Sequence, residues 1–474
     1  MARRDCPAGS RTADQGQHQI GGRSPVSPRL VFELVSASEH PPPKSPNAPV
    51  FRTDKPLQPD QTMFASYRPI LSLLRGTAFL LAASGLHGLL LPLRGQLEGF
   101  STASLGLMGT AWAGGFVTGC FFAPRLVRRA GHVRAFGAFA ASGAIVALLT
   151  GLIINEYVWI LLRAFTGFTM AGAFMVIESW LNEKATNENR GTVFGLYMMV
   201  TYASIMGGQM IVAGGDVRSA SLFMITGILF CLSLIPTAVS TASSPKPLQD
   251  VKLDVKGLYA NSPVSAIACL LVGIANGAWG TLGAVYGARI GISTAEIALM
   301  MSLVVVAGAA MQLPAGRLSD KTDRRFVLAG AAFGAALFAI LIFLFEPHSS
   351  VLVIVLTAAY GAFAYTLYSI AVAHANDHAS DEDFVKVSGG LLLLYGFGTM
   401  IGPLLAAALM GWFRPEGLFL ATALAHLCLA AYTLLRISRR APVPIEDRDA
   451  FKTQPADRSV TPEALRLRKA EADG

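Results

Sequence analysis

The sequence predicts an all-α integral membrane protein in which twelve transmembrane helices form two pseudo-symmetric bundles of six. Three observations support this fold class: the apolar composition, the number and length of the apolar runs, and a motif that occurs twice. Of the 474 residues, 53% are hydrophobic and 14% are charged, and the mean hydropathy is +0.50. Soluble domains carry about a quarter charged residues, so this composition fits a lipid bilayer better than water.

Twelve apolar runs are long enough to cross a membrane. A hydrocarbon core about 30 Å thick needs about 20 residues of helix, and a helix satisfies its own backbone hydrogen bonds within lipid. The predicted spans are residues 70–93, 103–124, 133–153, 157–181, 191–213, 219–240, 262–286, 295–315, 326–346, 350–374, 387–411 and 416–437.

The spacing of these runs predicts the domain organisation. The longest polar connection follows the sixth run and divides the spans six and six. We predict an N-terminal bundle over 67–240, a cytoplasmic linker over 241–261, a C-terminal bundle over 262–437 and a cytoplasmic tail over 438–474.

Residues 1–66 differ from the rest of the chain, because they are rich in Pro, Ser, Arg and Asp and contain no long apolar run. Such a segment cannot bury enough apolar surface to fold, so we predict a disordered extension. Two alternatives stay open. Translation could start at Met63, just before the first apolar run, or the segment could be a transit peptide, which its acidic residues disfavour.

The distribution of Lys and Arg predicts the orientation. If both termini are cytoplasmic, most of the basic residues in the connections lie inside, and the outer connections carry only Arg94, Arg218, Arg289 and Arg414. This pattern obeys the positive-inside rule and accounts for the net charge of +8 without a nucleic acid partner. The cysteines show no CxxC spacing, so neither a metal site nor a disulfide set is expected, and no cofactor is predicted.

A charged segment between two apolar spans provides the evidence for an internal repeat. The segment "GRLSDKTDRR" (316–325) follows the eighth span, and "PRLVRRAGHV" (124–133) follows the second. A second pair enters the fifth and eleventh spans, where Gly207 matches Gly402. Two halves with the same landmarks are typical of an internally duplicated transporter.

The repeated loop resembles the signature motif of the major facilitator superfamily, G-x-L-A-D-R-x-G-R-K. The second copy fits it well, and the first has Arg128 in place of the acid. The stretches "APRLVRRAGHVRAF" and "IESWLNEKAT" resemble more narrowly the YcaD-like branch. The fourth span carries "RAFTGF", which is similar to the family motif R-x-x-Q-G, and the eleventh resembles the Gly-Pro motif of antiporters.

The resemblance implies two sets of site residues. The expected gating-loop residues are Gly316, Asp320, Lys321, Arg324, Arg325, Arg128, Arg129 and Gly131, and the expected helix-packing residues are Gly389, Gly398, Gly402 and Pro403.

The charges of the repeated loop also have a simple physical role. Asp320 can pair with the positive start of the following helix or with an arginine there, and so hold helices together on the inner side. The alternative is that these charges only set the topology.

Ionisable residues at membrane depth are costly and so indicate function. Arg163 and Glu178 lie 15 residues apart on the fourth span, about 60° apart around a helix, so both are expected to face one cavity. The family resemblance implies a coupling role for Arg163. Glu178 is a candidate proton carrier, because burial favours the neutral form of a carboxyl group; the alternative is a helix-end carboxylate that pairs with Lys184 or Arg190.

Other polar residues within the spans are candidates to line the cavity, although each could instead hydrogen-bond between helices. They are His87, Gln209, Asn276, Gln312 and His374. The aromatic residues Trp112, Trp279, Tyr202 and Tyr395 could also line the cavity, and packing is the preferred interpretation.

Taken together, the sequence predicts a monomeric secondary transporter of a small molecule in the inner membrane, which works by alternating access, couples to protons and favours efflux. A uniporter or importer stays open, as does a receptor or scramblase on the same fold. The sequence contains no G-x-x-x-x-G-K-[ST] loop of a pump and no G-x-S-x-G or H-E-x-x-H motif of an enzyme.

Overall fold

A computed structural model of the protein describes residues 59–185, 189–238, 255–378 and 384–439, together with residues 444, 448 and 451. The predicted extension 1–66 and tail 438–474 therefore lie largely outside the described residues. The described segments form the helices α1 (Pro59–Leu97), α2 (Thr102–Ala130), α3 (His132–Leu152), α4 (Glu156–Lys184), α5 (Arg190–Ala213), α6 (Ser221–Ala238), α7 (Val255–Asn261), α8 (Pro263–Arg289), α9 (Thr294–Lys321), α10 (Arg324–Phe345), α11 (Ser350–Ala364), α12 (Leu367–Asn376), α13 (Phe384–Trp412) and α14 (Gly417–Ile437).

The predicted count of spans is confirmed, since twelve helical segments of the described chain are long and apolar enough to cross a membrane. Two features were not predicted. The tenth span, Ser350–Asn376, is interrupted between α11 and α12 at Tyr365 and Thr366. The short helix α7 occupies the end of the predicted linker. In addition, α1 begins at Pro59, before the first apolar run.

The two halves repeat the same helix pairs, and glycine permits close approach in each pair. In the N-terminal bundle α2 packs on α4, where Gly115 faces the carbonyl of Ala164, and in the C-terminal bundle α9 packs on α11. The pairs α1–α5 and α8–α13 correspond in the same way. Small residues allow such contacts in lipid, where apolar burial does not drive association. The pseudo-symmetry predicted from the duplicated loop is thus present in the packing.

One residue match of the repeat differs from the sequence expectation. Gly208 faces the carbonyl of Ala82 as Gly402 faces that of Ile274, whereas Gly207 has open space where a Cβ would lie. The structural equivalent of Gly402 is therefore Gly208. The alignment of α5 with α13 is shifted by one residue from the alignment predicted from the sequence, which matched Gly207 with Gly402.

The buried cores show how the bundles join. We call the end of the molecule where α1 ends and α2 begins the α1–α2 end, and the opposite one the α2–α3 end. A core at the α1–α2 end combines Leu90 and Trp159 of the N-terminal bundle with Tyr286 of the C-terminal bundle. Towards the α2–α3 end each bundle has its own core, which includes Trp180 in the first and Leu258 in the second.

Polar contacts between the bundles include one at the same end as the shared core. Arg289 donates to Gln96 Oε1 at 3.2 Å and to Thr102 Oγ1 at 2.6 Å. Ser302 donates to Gln209 Oε1 at 2.9 Å. The Arg289 bonds tie the bundles together at the α1–α2 end, and the Ser302–Gln209 bond joins them further along α5 and α9.

Candidate functional site

A central cavity of about 120 Å³ lies between the two bundles. The N-terminal bundle contributes Ser84, Trp112, Arg163 and Gln209 to its wall, and the C-terminal bundle contributes residues of α8 and α9 and Tyr365 at the break after α11. Among the described residues that line it, Arg163 is the one that carries a charge. The cavity therefore combines one cation with neutral polar and aromatic groups.

Local packing explains how Arg163 reaches the cavity. Asn155 caps α4 by accepting from the backbone N–H of Tyr157 at 3.0 Å. This cap fixes the start of the helix two turns before Arg163. Gly167 then lets α4 approach the backbone of α2 at Trp112, so the guanidinium and the indole come into one wall.

Glu178 does not join Arg163 at the cavity wall. Its side chain is completely buried, and the Tyr197 hydroxyl donates to its Oε1 at 3.2 Å. The two residues lie only about 60° apart around α4, but the rise of 1.5 Å per residue separates them by about 22 Å along the helix. The structure thus places Glu178 near the α2–α3 end, in the core of the N-terminal bundle.

Of the five other candidates, Gln209 lines the cavity and His87 lies next to the lining residue Gly88. The His87 ring is buried edge-to-face with Phe223, and neither ring nitrogen has a hydrogen-bond partner in the described part of the chain.

The remaining three candidates lie within the C-terminal bundle, outside the cavity lining. Asn276 donates to the Tyr395 hydroxyl at 3.3 Å. The Gln312 side chain accepts from Ser369 at 3.2 Å. His374 lies at the α2–α3 end, with its ring centroid 4.8 Å from that of His378.

Four further residues line the cavity. Ser84 and Tyr365 were not among the predicted candidates, and packing was the preferred interpretation of Trp112 and Trp279. A serine or a tyrosine in an apolar run has no local signal that tells a cavity wall from a helix contact.

The second signature loop forms a charged network at the α2–α3 end. Arg324 donates to Asp320 Oδ1 at 2.9 Å and to Asp377 Oδ2 at 2.7 Å, and also to the Ser319 hydroxyl at 3.0 Å. Its side chain is 1% exposed and that of Asp377 is 2% exposed. Because an unpaired buried charge is costly, this cation requires its two carboxylates. The network joins the end of α9, the start of α10 and the end of α12.

Two carboxyl groups at this end have shifted pKa values: Asp377 of this network and Asp323, which pairs with Arg325 at 2.7 Å. Burial raises the pKa of Asp377, and the hydrogen bond and charge of Arg324 offset part of that effect. Burial alone would also raise the pKa of Asp323, but hydrogen bonds from the Arg325 side chain and backbone, together with its charge, bring that pKa below its ordinary value.

Part of the C-terminal tail covers the same loop. The backbone N–H of Phe451 donates to both carboxylate oxygens of Asp320, at 3.0 and 3.2 Å. The Phe451 ring occupies the space where a side chain on Gly316 would lie. Arg448 donates to the Thr322 carbonyl. Lys321, the last residue of α9, is exposed.

The first copy of the loop is built differently. Gly131 has φ +82°, which favours glycine, and it separates α2 from α3. Arg128 and Arg129 are exposed in the last turn of α2. With no acid in this copy, the buried ionic pairing of Arg324 has no sequence counterpart here.

The glycines of the eleventh span bring α13 against α8. Gly398 lies against the backbone of Leu270, and Gly402 against that of Ile274. The carbonyl of Pro403 faces Gly106 of α2, 2.8 Å from where a Cβ would lie, so the same helix also contacts the other bundle. Gly389 is buried on the same helix.

Two related six-helix bundles around a central cavity, each with the signature loop after its second span, define an internally duplicated membrane transporter. The sequence profile of the Major Facilitator Superfamily matches residues 30–209, 73–289 and 262–470. The chain belongs to the major facilitator superfamily, whose members are transporters and not enzymes.

Similar proteins agree with this assignment. The chain is 29% identical over 393 residues to YcaD of Escherichia coli, covering 80% of this chain and 98% of that protein, and 27% identical over 380 residues to YcaD of Escherichia fergusonii, with the same coverage. Both are described as uncharacterized MFS-type transporters.

Solved structures share the fold at low sequence identity. The nucleoside transporter NupG has a TM-score of 0.67 at 15% identity, covering 77% of this chain and 98% of that one. A bacterial homologue of the lysosomal transporter Spinster has a TM-score of 0.64 at 17% identity, covering 81% and 98%. The predicted multi-pass membrane protein and its transporter class are confirmed.

Proposed function

We propose that this protein is a proton-coupled secondary transporter that moves a small molecule across the cytoplasmic membrane by alternating access, with export as the favoured direction. One observation carries the proposal: a central cavity lined by both bundles, which share a core at one end and have separate cores at the other.

Alternating access needs two contact surfaces that form in turn. The bonds from Arg289 to Gln96 and Thr102 close the α1–α2 end, which the distribution of basic residues assigns to the outside. Opening to the outside would break these polar bonds and part of the shared core, while the cytoplasmic ends of the bundles close. The Arg324 network lies at that cytoplasmic end and keeps three helices of the C-terminal bundle together during the movement.

Proton coupling needs a group that can gain and lose a proton in the course of the cycle. Glu178 is completely buried, which disfavours the charged form of a carboxyl group, and the Tyr197 hydroxyl donates to its Oε1. It shares α4 with Arg163. A movement of α4 that hydrates Glu178 in one state and buries it in the other would therefore link a proton to the occupancy of the cavity.

The experiment combines a thermal-shift ligand screen on the purified protein with uptake of the ligand found into proteoliposomes. An acid lumen drives uptake if a proton leaves as the substrate enters, and an acid exterior drives uptake if both enter together. We expect an acid lumen to drive it, as export by antiport requires. Glu178→Gln and Arg163→Ala are expected to bind the ligand but to lose gradient-driven uptake, and Arg75→Gln, at an exposed position of α1, serves as the control.

Equal uptake with and without a pH gradient would establish a uniporter instead, and full gradient-driven uptake by both variants would end the coupling role. Binding with no uptake under any gradient would favour the receptor or scramblase.

A further inference from the structure

We propose that the central cavity binds a small organic monoanion, in which a carboxylate is attached to a flat apolar body. This substrate class rests on the proposed transport function, and it comes from the charge, the hydrogen-bond donors and the aromatic groups of the cavity wall.

The charge of the wall selects the sign of the ligand. Arg163 is the one charged residue in the described lining, and its charge is positive. A guanidinium stays protonated and presents a fork of N–H donors that matches a carboxylate. A ligand cation in this cavity would face the like charge of Arg163.

The neutral polar groups of the wall also favour a ligand that accepts hydrogen bonds. Gln209 uses its Oε1 to accept from Ser302, which leaves the two donors of its NH₂ group for other partners. The indole Nε1–H of Trp279 is buried and has no hydrogen-bond partner in the described residues, and an indole can only donate. An anion with several acceptor lone pairs suits this set.

The aromatic groups define the rest of the ligand. Trp112 comes from the N-terminal bundle, and Trp279 and Tyr365 come from the C-terminal bundle. Trp112 is stacked on Phe116 with ring centroids 5.3 Å apart, and Trp279 packs on Tyr360 and Phe419. Indoles held by such packing offer fixed apolar surfaces from both sides of the cavity, as ligand pockets commonly do.

The residues that would contact the ligand come from different bundles, which links binding to the movement of the bundles. The cation belongs to α4 of the first bundle, whereas Trp279 belongs to α8 of the second. A ligand whose carboxylate meets Arg163 and whose body meets Trp279 touches both bundles at once. Such a ligand would favour the arrangement in which the two bundles are closest.

The test measures binding of radiolabelled benzoate to the purified full-length protein at neutral pH, with unlabelled competitors. Benzamide has the same flat body without the charge, benzylamine carries the opposite charge, and acetate has the carboxylate without the ring. We expect benzoate to compete on the order of 10- to 100-fold more strongly than benzamide, as the loss of a charge-assisted hydrogen bond implies, and acetate and benzylamine to compete weakly.

The variants test whether Arg163 is the source of this preference. Arg163→Gln should bind benzoate and benzamide equally, and Arg163→Lys should keep part of the preference because it keeps the charge. Arg75→Gln removes an equal charge away from the cavity and should behave as the unaltered protein; thermal unfolding of each variant verifies that it is folded. Equal binding of benzoate and benzamide by the unaltered protein, stronger binding of benzylamine, no binding of benzoate up to its solubility, or a preference that survives Arg163→Gln would overturn the proposal.

Uptake of the same probes into proteoliposomes, corrected for leakage into protein-free liposomes, separates this proposal from the transport function. Selective benzoate binding with no uptake would refute transport and leave the anion site standing. Gradient-driven uptake of a neutral or cationic solute, without selective benzoate binding, would refute the substrate class and leave transport standing.

Discussion

Replacing Arg324 by alanine should destabilise the protein through the buried carboxylate that it leaves behind. Arg324 and Asp377 are 1% and 2% exposed and are joined at 2.7 Å. Removal of one partner of a buried ion pair costs about 3–5 kcal/mol. Asp320 is 37% exposed and can be solvated, so the penalty comes mainly from Asp377.

The loss of stability caused by Arg324→Ala should depend on pH, because Asp377 can be protonated. Burial already raises the pKa of Asp377 with Arg324 present, and removal of the cation raises it further. A carboxyl group whose folded pKa exceeds its unfolded pKa destabilises the protein when both states are ionised, and the penalty disappears as the pH falls through the folded value. Arg324→Ala should therefore be least stable at alkaline pH and regain stability in acid.

The assay is chemical unfolding of the purified protein in detergent at several pH values, with the double variant Arg324→Ala/Asp377→Ala. The double variant should be more stable than Arg324→Ala, because it leaves no carboxylate without its partner. Glu346→Gln, which breaks the exposed pair with Arg414, is the control and should cost about 1 kcal/mol or less. The reasoning is refuted if Arg324→Ala costs no more than this control, or if its stability does not rise in acid.

Three further substitutions test the packing and the tail. Gly402→Val places a side chain against the backbone of α8 and should lower the free energy of unfolding by about 1–3 kcal/mol or more. Its control is Gly411→Val on the same helix, which meets open space and should lower that free energy by about 1 kcal/mol or less. Equal unfolding free energies of the two variants would contradict the close contact at Gly402. Gly316→Ala should displace the Phe451 ring and increase proteolysis of the tail, as Phe451→Ala should also do. An unchanged cleavage rate would disprove that the tail is docked there. Tyr197→Phe removes the donor to Glu178 and should shift the pH dependence of uptake by the protein, whereas an unshifted profile would remove Glu178 from the coupling step.

The sequence predicted those features that depend on whether a segment lies in lipid or in water. Apolar run length reports whether a segment lies in lipid, so the twelve spans and their division six and six followed directly. The duplicated loop at 124–133 and 316–325 reported the internal repeat. Two of the candidate residues, Arg163 and Gln209, line the cavity, and their roles stay predictions.

The remaining features depend on contacts between distant segments, which hydropathy does not record. The docking of Phe451 on Asp320 joins residues 131 positions apart. The break of the tenth span at Tyr365 lies inside an apolar run that reads as one helix. Glu178 faces a buried tyrosine because its depth along α4, and not only its angle, decides its neighbours.

Distances across the two ends of the molecule test most directly whether the bundles rock around the cavity. In a cysteine-free background, spin labels at the exposed positions Leu97 and Phe413 report the α1–α2 end, and labels at Leu126 and Leu318 report the α2–α3 end. As the ligand and the pH are varied, we expect one distance to lengthen while the other shortens. If both distances change in the same direction, or neither changes, alternating access by two rocking bundles is contradicted.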